Sequence, residues 1–73
     1  MSRVVAIGES ELVDGYGLAG VDVRPAADAA SARRAFGEVE GDATLLLLTP
    51  AAEVALRERL AEADRLVWVV LPA

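Results

Sequence analysis

Few residues of this 73-residue chain could do chemistry, and they are of limited kinds. It has no histidine and no cysteine, and each of its seven basic side chains is an arginine. Without histidine the usual general base and the commonest metal ligand are both missing. Without cysteine there is neither a disulfide framework nor a thiolate metal site. Carboxylates, hydroxyls and guanidinium groups remain. Glu9, Ser10 and Glu11 follow one short apolar run, and Thr49 follows another. In an open α/β sheet, such positions at the carboxyl ends of strands are where ligands bind. Ser10 has no base near it in sequence, which a nucleophile would need. Acidic residues there also suit the first turn of a helix, whose N-terminal dipole favours negative charge. No catalytic residue, cofactor ligand or metal ligand is assigned.

Two further motifs lose their chemical meaning in context. Gly15, Gly17 and Gly20 match the spacing of a dinucleotide-binding glycine fingerprint. That fingerprint leads from a strand into a helix whose N-terminus holds pyrophosphate, whereas here the glycines follow a helix and lead into a strand. They are expected to serve tight packing and turning. Arg33 and Arg34 are adjacent on a helix, point in different directions and suit a solvated face.

The elements that position these residues alternate along the chain. Residues 3–7 form a first strand, apolar enough to be buried on both faces. Residues 10–18 predict a short helix weakened by Gly15 and Gly17, since glycine costs about 1 kcal/mol there relative to alanine. Residues 21–24 alternate apolar and polar, the pattern of an edge strand with one wet face, and Pro25 stops them. Residues 27–40 predict a second helix with Asp28 as cap or first-turn acid. Its buried stripe is Ala29, Ala32, Ala35, Phe36 and Val39. Residues 43–48 are apolar on both faces and belong at the centre of the sheet. Thr49 and Pro50 open a third helix, a hydroxyl N-cap followed by proline at the first helical position. That helix runs to about residue 63, with Val54, Leu56, Leu60 and Ala61 supplying apolar surface and a Glu53–Arg57 pair at i,i+4. Asp64 and Arg65 make the exit, and residues 66–71 the last strand.

The order βαβαβαβ implies one α/β domain, residues 1–73: a four-stranded parallel sheet of flavodoxin-like or receiver-like order 2-1-3-4, with three helices as crossovers. A phospho-acceptor receiver would end its third strand in aspartate and its fourth in lysine, but these strands end in Thr49 and Pro72. Parallel crossovers are right-handed in nearly all cases. The first helix must then lie on one face, and the second and third together on the other. Strands 3 and 4 are left with an apolar face that no helix of their own covers. Either Leu66, Trp68 and Val70 or Val67, Val69 and Leu71 contribute to it. An exposed patch of this kind marks an interface, and Trp68 on it would be an anchoring aromatic.

Net charge is −5, which argues against nucleic acid, whose backbone needs a basic footprint. No stretch approaches the roughly 20 apolar residues that span a bilayer, and no signal peptide is recognisable. The expectation is a soluble, cytoplasmic protein without direct membrane insertion.

The block Ile7-Gly8-Glu9 and the later Gly15-Tyr16-Gly17-Leu18-Ala19-Gly20-Val21 resemble the N-terminal signature of the F-subunits of V-type and A-type rotary ATPases and ATP synthases. The resemblance continues through Leu45-Leu46-Leu47-Leu48-Thr49-Pro50 to Val69-Val70-Leu71-Pro72, nearly the whole chain. It implies a non-catalytic central-stalk (rotor) component with no nucleotide of its own. Such a component binds the coiled-coil shaft, the D-subunit in that family, and sits cytoplasmic and peripheral to the membrane in the assembled complex. That complex couples ATP hydrolysis or synthesis to rotation and ion transport. Family members run on past the last proline into a further helix tied to regulation. Here the chain stops at Ala73, so the open face is expected to be covered by missing chain, a partner or a second copy. Glu9, Ser10, Thr49 and Trp68 are the candidate partner-binding residues. Two alternatives remain open: a small-ligand or nucleotide-binding module using the cleft beside Gly8 and Thr49, and a homodimer that buries the open face against itself.

Overall fold

Four parallel strands form the centre of the molecule, and their order is the one expected. In the computed structural model, which describes residues 3–63 and 65–72, the strands β1 (Val4–Gly8), β2 (Asp22–Pro25), β3 (Leu45–Leu48) and β4 (Val67–Val70) lie in the order β2-β1-β3-β4. Helix α1 (Ser10–Val13) continues as a 3₁₀ helix (Asp14–Ala19), and α2 (Ala29–Val39) and α3 (Pro50–Glu62) form the remaining crossovers.

The register assigns the faces. Val5 pairs with Leu46 and Ile7 with Leu48, and paired residues of parallel strands point to the same side. These four are fully buried against Ala32, Ala35, Phe36 and Val39 of α2 and Ala52, Leu56 and Leu60 of α3. Residues 52, 56 and 60 recur every four positions, so α3 buries only a narrow stripe. Burial of a leucine such as Leu56 contributes roughly 1.5–3 kcal/mol. Arg59 of α3 lies over the Phe36 ring, 5.2 Å from its centre, and also bonds Glu40 at 3.1 Å. It ties the two helices together at their outer surface.

On the opposite side α1 and the 3₁₀ helix pack over β1 and β2, with Val13 fully buried there.

The structure corrects several details. The helix expected over residues 10–18 stays α-helical only to Val13, then tightens into 3₁₀ through the two glycines. The chain turns at Gly20, whose φ of 86° is a left-handed value that glycine tolerates. Ala29 is not core: it opens α2 and borders a groove between α2 and α3. Val54, 61% exposed, lies half a turn from the 52–56–60 stripe, and Ala61 also faces outward. Pro25 is the last residue of β2 rather than the one that stops it, which suits an edge. Arg65 is exposed at the exit before β4; Asp64, assigned to the same exit, lies outside the described residues.

Candidate functional site

The carboxyl ends of β1 and β3 are tied together by Thr49, whose N–H donates to the Ile7 carbonyl at 3.2 Å. Thr49, directly after β3, is completely buried. Its hydroxyl donates to Glu9 Oε1 at 2.6 Å and accepts from the Ala52 N–H at 3.3 Å, which makes it the N-cap of α3. Hydroxyl donation by Thr49 is the main cause holding the Glu9 carboxyl below its ordinary range; a backbone hydrogen bond within Glu9 adds to it. Gly8 sits against the same side chain. A Cβ on Gly8 would overlap Thr49 Cγ2, Oγ1 and Cβ, so glycine is required for close approach rather than for φ. The cleft expected beside Gly8 and Thr49 is thus filled by Thr49 itself.

Open space lies further out. A groove of about 330 Å³ runs between the N-terminal halves of α2 and α3, lined largely by alanines, with Glu9 and Asp28 contributing carboxylates and Arg33 a guanidinium. Both helix N-termini beside it are already capped, α3 by Thr49 and α2 by Asp28, whose carboxylate accepts from the Ser31 N–H at 2.8 Å. Among the described residues, no group of three or more carboxylates could hold a metal ion. No helix among them is long and apolar enough to cross a membrane.

Of the four candidate residues, the fold brings two together. Glu9 and Thr49 touch although 40 positions apart. Ser10 is exposed at the start of α1 beside a shallow depression lined by Glu9, Glu11 and Ser31. Trp68 is elsewhere, on edge strand β4, two strands from β1. It pairs with Leu46 and therefore points to the side of the sheet that carries α2 and α3. Of the two alternatives left open for the uncovered face, the register selects the set with Val67 and Val69 rather than the one with Trp68.

That uncovered face is the second feature of interest. Val67 pairs with Leu45 and Val69 with Leu47, opposite the side that carries α2 and α3. Val67 is 61% and Val69 48% exposed, and both leucines are half-buried. None of the four is charged. Two strands spaced about 4.8 Å apart make a strip about 10 Å wide, and four residues make it about 13 Å long. An α-helix is about 10 Å across, so the bare strip accommodates one helix over roughly two turns.

The two edges of the sheet differ sharply. On β2, Asp22 bonds Arg24 at 3.1 Å and also pairs with Arg3, while Arg24 reaches Glu38 at 2.9 Å. Arg24 and Arg3 together hold the Asp22 carboxyl below its ordinary range. Charge and Pro25 guard that edge as exposed edges usually are guarded. On β4 the sequence is Val-Trp-Val-Val, and every residue is exposed.

No family model matches the chain, and neither a curated protein nor a solved structure is significantly similar to it.

Proposed function

We propose that this chain is a non-catalytic interaction module: the F-subunit of a V-type or A-type rotary ATPase or ATP synthase, bound to the coiled-coil shaft. In that role it sits in the central stalk, peripheral to the membrane, and helps couple ATP turnover to rotation and ion transport. The observation that supports this most is the bare strip formed by Leu45, Leu47, Val67 and Val69. It is uncharged, one helix wide and set on a small, continuously hydrogen-bonded sheet. A shaft built of helices offers the matching shape, and burying such a strip is favourable at about 25 cal/mol per Å². A rotor component must transmit torque through its contacts, and a small α/β block backed by α2 and α3 suits that task. The sequence resemblance suggests the partner, and the strip is where we propose that it docks.

Coexpression with the coiled-coil shaft protein of the same organism, followed by mass determination of the purified species, tests this. A one-to-one complex is expected. A chain that purifies free of the shaft contradicts it. The nucleotide-binding alternative gains no support from the groove between α2 and α3, whose charged lining is two carboxylates, Glu9 and Asp28, against one guanidinium, Arg33, a net negative charge that disfavours phosphate. Nucleotide at millimolar concentration is expected to leave the melting temperature unchanged, since only a ligand bound to the native state raises it.

A further inference from the structure

We draw no further inference here: the strongest candidate, the alanine-lined groove between the N-terminal halves of α2 and α3, has two carboxylates that already accept from Thr49 and Ser31, and among the described residues no buried polar side chain is left unpartnered to point to a ligand.

Discussion

Thr49 and Glu9 join the carboxyl ends of two neighbouring strands through one hydroxyl, which donates to the carboxylate at 2.6 Å while capping α3. The Thr49 side chain is fully buried. Thr49→Val keeps the shape and removes both bonds. It is expected to destabilise the fold by about 1–2 kcal/mol, the usual loss for a helix cap, with Thr49→Ser recovering most of it. Urea denaturation of the three proteins measures this. A neutral Thr49→Val would show that the contact is incidental.

Gly8 and Thr49 share a space that holds only one of their side chains. Gly8→Ala is therefore expected to cost about 1–3 kcal/mol through overpacking. In Gly8→Ala/Thr49→Ala the loss should be smaller than the sum of the two single losses, because the second change relieves part of the clash. Additive losses would place the strain elsewhere.

Acid should weaken the fold in a defined direction. The Glu9 and Asp22 carboxyls are held below their ordinary values of 4.5 and 3.8 by Thr49 and by Arg24 with Arg3. A group whose folded pKa is depressed contributes stability in full above its unfolded value, and loses it as pH falls through the folded value. The urea midpoint is expected to be level from neutral pH to about 5 and to drop below about 4.5. Glu9→Gln should make that drop shallower. A midpoint that does not move between about pH 7 and about pH 3 would contradict the carboxylate contacts.

Much of this architecture is legible in the residues themselves. Alternation in Val21-Asp22-Val23-Arg24 marks an edge strand, and β2 is one. Asp28 and the Thr49-Pro50 pair mark helix starts, and both cap as their chemistry suggests. Alanine and continuous apolar runs are less informative. Ala29 and Ala61 fit a buried stripe by spacing but lie outside it, because alanine tolerates either environment. In β4 four consecutive apolar residues have no period, so only the register with β3 reveals that Val67 and Val69 face the bare side and Trp68 the other. The Glu9–Thr49 contact spans 40 positions. Sequence places each at a strand end, but their meeting depends on β1 and β3 being neighbours.

The bare strip carries the central claim, and a single variant tests it most directly. Val69 is 48% exposed, so Val69→Glu should alter folding stability by less than about 0.5 kcal/mol. On binding, the same change buries a charge in an apolar contact. Calorimetric titration into the coiled-coil shaft protein is expected to give one-to-one binding with a negative heat-capacity change for the wild type. Val69→Glu should bind at least about a hundredfold more weakly, the cost of desolvating an unpaired carboxylate. Equal affinity for both proteins, or no heat from the wild type, would contradict the account.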